Sequence, residues 1–104
     1  MNLVDIAVEA ARNAEAGVSK LPADFPTEEA LSGAKGRALL NNLCANQGIR
    51  LLEIGAYAGS TFCAALCGNA IQATTVDIWH QFIQPPERAD RVKRLFDQRL
   101  ALPR

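Results

Sequence analysis

The sequence predicts an α/β domain in the order helix, helix, strand, helix, strand, helix, with a short parallel sheet. Two apolar runs, Ile49–Ile54 and Ile71–Ile78, are separated by a single stretch of helical periodicity, which is the pattern of a βαβ unit. Strands joined in this way lie parallel and take a right-handed crossover. Glycines at 48, 55 and 68 punctuate the unit where its elements should end.

Leu3, Ile6, Ala7, Ala10 and Ala14 recur at helical spacing, so residues 2–16 read as an amphipathic helix ending near Gly17. Leu21 to Pro26 form a connector, after which Thr27 caps a second helix expected over 27–46, with Glu28 and Glu29 in its first turn opposing the helix dipole. Gly33 and Gly36 each weaken that helix by about 1 kcal/mol relative to Ala, so its first half is either loose or closely approached by another backbone. Leu39, Leu40, Leu43 and Cys44 supply its apolar side, and Gly48 ends it. The first strand runs from Ile49 to Ile54, and a helix from Ser60 to Leu66 or Cys67 carries Phe62, Cys63, Leu66 and Cys67 on one side. The second strand spans Ile71–Ile78, rich in β-branched residues. Pro85 and Pro86 then open a last helix over 86–101, because a missing N–H is harmless in a first turn, and Ala89, Val92 and Phe96 mark its inner face. Residues 1–26 thus form an N-terminal helix and connector, and 27–104 the βαβ domain.

A chain of 104 residues that is 49% hydrophobic suffices for one small core. Eleven basic side chains balance eleven acidic ones, which argues against a nucleic-acid or anionic-membrane partner. The basic residues concentrate late: residues 85–104 carry six basic and three acidic groups. On the last helix Glu87 and Asp90 stand four residues before Arg91 and Arg94, so this basic stretch reads as a solvated face in preference to a nucleic-acid or phosphate site. Cys44, Cys63 and Cys67 make no zinc-like pair and read as buried thiols in a reducing compartment. No apolar run is long enough to span a bilayer and no targeting segment opens the chain, so the expected location is the cytoplasm.

The segment that carries chemistry is Glu53-Ile54-Gly55-Ala56-Tyr57-Ala58-Gly59-Ser60-Thr61, followed by Thr75-Val76-Asp77-Ile78-Trp79. A strand running through a glycine turn into a helix places backbone N–H groups and the positive helix end at the carboxyl edge of the sheet, where α/β folds bind ligands. A Cβ at Gly55 or Gly59 would limit the turn or hold a ligand away from it. Asp77 follows Glu53 by 24 residues and ends the second strand, where a carboxylate accepts hydrogen bonds from a ribose diol. That acid suits more than one adenosine cofactor. Gly55-x-x-x-Gly59 lacks the middle glycine of GxGxxG, which disfavours a dinucleotide.

This segment resembles the first motif of class I S-adenosylmethionine-dependent methyltransferases, in the catechol O-methyltransferase-like branch where an aromatic residue replaces the central glycine. Asp77-Ile78-Trp79 resembles the second motif of that fold, and Leu31–Leu43 the helix before its first strand; the likeness covers about Leu31 to Phe82. The resemblance implies a partial Rossmann-like methyltransferase fold that binds S-adenosyl-L-methionine. Gly55 and Gly59 would border the methionine portion, Ala56 and Ser60 would also contact the cofactor, and Tyr57 would cover the methionine tail. Glu53 would orient the loop or reach the amino group, Asp77 would hold the ribose, and Ile78 and Trp79 would lie by the adenine. Glu53 has a second reading as a brace of the turn, and Trp79 as cover for the sheet edge; His80 reads as a surface imidazole.

In complete members of that family further strands follow the second and carry the acceptor site, so this chain is expected to be a truncated or fragmentary small-molecule methyltransferase without detectable methyl transfer as a monomer. No catalytic base and no metal set is legible in it. A non-catalytic interaction protein derived from the fold and a dinucleotide-binding fragment are the alternatives. The first strand should keep an open apolar edge, which a homo-oligomer or a missing partner segment would cover.

Overall fold

A computed structural model describes residues 2–101, the side chain of His80 excepted. The elements are α1 (Leu3–Glu15), α2 (Ala34–Leu43), β1 (Arg50–Ile54), α3 (Ser60–Leu66), β2 (Gln72–Val76), α4 (Trp79–Phe82) and α5 (Pro86–Leu100). β1 and β2 pair in parallel, from Arg50 opposite Gln72 to Ile54 opposite Val76, and the Gly55 N–H donates to the Val76 carbonyl at 2.8 Å to close the ladder. The expected α/β order and parallel sheet are therefore present, with one extra helical turn, α4, between β2 and α5.

Local chemistry explains the ends of α1. The Asn2 side chain accepts the Asp5 N–H at 2.9 Å, the interaction that stabilises an orphan donor of the first turn, and Gly17 adopts φ +75° beyond the last turn. Ala10 and Ala14 are buried against α2, where their small side chains permit close approach.

The second helix is shorter than the sequence predicts. It begins at Ala34 with Gly33 at its N-cap, whereas residues 27–33 form a non-helical strap in which Glu29 takes φ +56°. Long-range bonds override the local helix signal at Thr27. The buried Arg99 of α5 donates to the carbonyls of Glu28 and Ala58, the latter at 3.0 Å, and the buried Arg37 of α2 donates to the Ser32 carbonyl. The Ser32 hydroxyl lies 3.2 Å from that of Ser60.

One face of the sheet is covered. Leu51 and Ala73 pack with Ala56, Phe62, Leu66 and Phe96, so α3 and α5 form a layer over it. The opposite face is not: Leu52, Ile54, Val76 and Ile78 are exposed, and so is Phe82 of α4, at 80%. Parallel strands normally read as continuous apolar runs because both faces are covered, and Leu51-Leu52 with Ile54 has that character. Of the three cysteines only Cys44 is buried; Cys63 within α3 and Cys67 just after it are partly exposed, which corrects the expectation of three buried thiols. His80 was expected at the surface, a placement that lies outside the described residues.

Asn41 ties this layer together. Fully buried, it accepts the Lys20 N–H at 2.8 Å and donates to the carbonyls of Ala64 and Cys67, both at 2.8 Å, while its own carbonyl accepts from Asn69 at 2.9 Å. One side chain therefore fixes the connector, α2 and the end of α3. Replacing it by leucine, of similar size, strands three backbone groups, and Asn41→Leu is expected to lower stability by roughly 3 kcal/mol. Urea denaturation of the two proteins measures this, and an unchanged midpoint would overturn the assignment.

Candidate functional site

The turn between β1 and α3 rises from the carboxyl edge of the sheet through three left-handed residues, Gly55 (φ +89°), Tyr57 (φ +48°) and Gly59 (φ +83°). Tyrosine seldom adopts this conformation, which costs of order 1–3 kcal/mol and persists only when its surroundings enforce it. Both polar groups of the Tyr57 backbone are held. Its N–H donates to Asp77 Oδ2 at 2.6 Å, and its carbonyl accepts from the Trp79 indole Nε1 at 2.6 Å. The end of β2 and the start of α4 thereby set the shape of the turn.

Gly55 and Gly59 serve different needs. A Cβ on Gly55 would point into open space, so the backbone there is accessible. A Cβ on Gly59 would stand 2.8 Å from Phe96 Cδ2, so this glycine admits the aromatic ring of α5 to the turn. The turn itself closes with the Gly59 N–H on the Ala56 carbonyl at 2.8 Å. A cleft of about 120 Å³ lies between it and the strap, lined by Leu31, Ser32, Gly55, Ala56, Tyr57 and Ser60 among others. This is smaller than the roughly 300–1,000 Å³ of pockets that enclose whole ligands.

The residues singled out from sequence converge on this edge, but their side chains divide. Asp77 is half-buried beside the turn, and its Oδ1 accepts no hydrogen bond from a described residue. Ile78 is 53% exposed next to it. Trp79 packs at 5.4 Å from the Phe96 ring centroid with Lys93 Nζ 5.8 Å from its own, so much of the indole faces α5. Glu53 faces inward, accepting from Thr61 at 2.6 Å and Thr75 at 3.5 Å. Desolvation raises its pKa, the two threonine hydroxyls pull it back, and the nearby Asp77 charge adds to the rise.

A cluster not anticipated from sequence adjoins the cleft. The Tyr57 hydroxyl donates to Glu29 Oε2 at 2.8 Å and accepts from Arg88 at 2.7 Å, and Arg91 donates to Glu29 Oε1 at 2.6 Å. Arg91 thus pairs across to the strap, where the sequence pointed to Glu87 on its own helix. The hydrogen bond from Tyr57 and the charges of Arg91 and Arg88 hold the Glu29 carboxyl below the usual range against a partial desolvation cost, and burial raises the Tyr57 phenol. The sequence hint was the basic spacing of α5 near an acidic Glu28-Glu29 pair; the positive φ at 29 had no local signal. Among the described residues no three His, Cys, Asp or Glu side chains group as metal ligands, and no helix is long and apolar enough to cross a membrane.

No family model, curated protein or solved structure matches this chain.

Glu53 supplies a test of these electrostatics. A carboxyl with a raised folded pKa binds more protons folded than unfolded, so its ionisation weakens the fold as pH climbs from the ordinary carboxylate range through the raised value. Glu53→Gln removes that charge and keeps hydrogen-bonding atoms for both threonines. The variant is expected to melt roughly 2–5 °C above wild type at neutral pH, with the gap closing in acid. Thermal melts between about pH 3 and pH 8 read this; a wild type that is the more stable protein at neutral pH would contradict it.

Proposed function

We propose that the Gly55–Ser60 turn and Asp77 bind S-adenosyl-L-methionine, and that the chain is the cofactor-binding portion of a class I methyltransferase-like protein acting on a small-molecule acceptor. The observation that carries this reading is the position of Asp77. It stands at the carboxyl edge of the parallel pair, against the glycine turn, with Oδ2 committed to Tyr57 and Oδ1 without a hydrogen-bond partner among the described residues. A ribose diol is the complement of that oxygen, since both hydroxyls donate to a carboxylate.

The residues fit the cofactor in parts. The cleft beside Gly55, Ala56, Tyr57 and Ser60 has room for the methionine end but not for the nucleoside, which would lie along the open edge over Ile78. Trp79 contributes by holding the Tyr57 carbonyl, and what remains of its ring borders the adenine position. Glu53 acts through the loop, bracing Thr61 at the start of α3. Gly59 acts likewise, by letting Phe96 support the turn. When bound, the cofactor supplies an electrophilic methyl group on a sulfonium; the chain orients it and keeps water from the methionine end.

The internal use of Glu53 and Trp79 also suits a non-catalytic interaction domain. Titration with S-adenosylhomocysteine separates the readings, with NAD as the competitor that tests a dinucleotide site. Asp77→Asn is the informative variant, because its amide oxygen still accepts the Tyr57 N–H while the charge is gone. Affinity for S-adenosylhomocysteine is expected to fall ten- to a hundredfold, about 1.5–3 kcal/mol, in a protein that remains folded. Unchanged affinity would remove Asp77 from the site, and absence of saturable binding to wild type would remove the cofactor.

The uncovered face leads us to propose self-association as well, with a second copy lying against Leu52, Ile54 and Val76 or pairing with the free edge of β1. Light scattering over a concentration series should show growth in mass that Leu52→Lys suppresses. A wild-type monomer throughout would refute this.

A further inference from the structure

We propose that Tyr57, Arg88 and Arg91 form a binding site for a small-molecule oxyanion, a carboxylate or phosphate, which Glu29 fills in the present conformation. Three donors from two elements converge on one carboxylate. Tyr57 meets Oε2 at 2.8 Å, Arg91 meets Oε1 at 2.6 Å, and Arg88 bridges the phenol at 2.7 Å while standing 3.5 Å from Oε2. This is the recognition chemistry of a free oxyanion, with charge-assisted donors on both oxygens.

Two observations mark Glu29 as a replaceable occupant. Its backbone sits at φ +56°, a conformation that a glutamate adopts only under constraint, within a strap that has no regular secondary structure. It is also shared: one carboxylate faces two guanidinium groups, Arg88 and Arg91. The arginine side chains are 45% and 51% exposed, which gives a ligand from solvent direct access to them. An incoming oxyanion exchanges like for like at the donors and releases the strained residue. Because Leu31 and Ser32 of the same strap line the cleft, its release would also widen the approach to the glycine turn.

This site shares Tyr57 with the cofactor cleft, but its test contains no cofactor, so the two readings fail separately. Trp79 is the single tryptophan and its indole holds the Tyr57 carbonyl, so its emission reports on this turn. Succinate and inorganic phosphate are titrated in turn into wild type, Glu29→Gly and Glu29→Gln, with fold checked by circular dichroism. Glycine suits the positive φ at 29 and removes the competing carboxylate; glutamine keeps the bulk and removes the charge. Both variants are expected to bind at least one probe no less than tenfold more tightly than wild type, and the tighter probe assigns the ligand as carboxylate or phosphate. Adding Arg88→Ala with Arg91→Ala to either variant should abolish the gain. Equal affinities in wild type and the folded variants, no saturable binding in them, or a gain that survives loss of both arginines would each overturn the site.

Discussion

The geometry of the candidate site depends on the Tyr57 peptide, which is gripped on both sides. Without the Asp77 carboxylate on its N–H and the Trp79 indole on its carbonyl, a tyrosine at φ +48° would relax toward the favoured regions and the turn would lose its shape. The two grips come from residues two apart, Asp77 just past β2 and Trp79 at the start of α4, so the pairing of the strands and the form of the turn are one constraint. Phe96 extends it to α5: its ring packs on Trp79 and Phe62 and fills the space that a side chain at Gly59 would need.

Polar staples do the work that a thicker core would do in a larger domain. The segment from Ser19 to Gly33 has little regular structure, yet it is fastened by Asn41 at Lys20, by Arg37 at Ser32 and by Arg99 at Glu28. Among the described residues no buried side-chain nitrogen or oxygen lacks a partner, which matters because each unpaired group would forfeit its hydration without return. The buried arginines fit this role for a geometric reason: a planar guanidinium can donate to two carbonyls from separate segments at once, as Arg99 does to Ala58 and Glu28.

What the sequence made legible follows the range of the forces involved. α1, β1, α3, β2 and α5 were readable because apolar periodicity and glycine stops are local, and the placement of Asp77 just past β2 was readable because strand ends and turns are local too. Residues 27–33 were misread as helix because the Thr27 cap signal is weak beside bonds from Arg99, Arg88 and Arg91, which lie at least 59 residues away along the chain. The directions of Glu53 and Trp79 were undecided for a related reason. A residue name fixes what a side chain can bind, but only the packing of α3 and α5 decided that Glu53 meets threonine hydroxyls and that the indole turns toward Phe96.

The asymmetry of the sheet connects association to the site. One face is filled by α3 and α5, and on the other Leu52, Ile54 and Val76 stand exposed in a row that ends at Gly55 on β1 and at Ile78 beyond β2. A second layer laid over that row would therefore stop beside the accessible backbone of Gly55 and beside Asp77. It would wall the edge where the nucleoside is proposed to lie, and the desolvation it brought would strengthen hydrogen bonds to the Asp77 carboxylate in that region. Cover for the apolar face would therefore act on the proposed ligand edge as well.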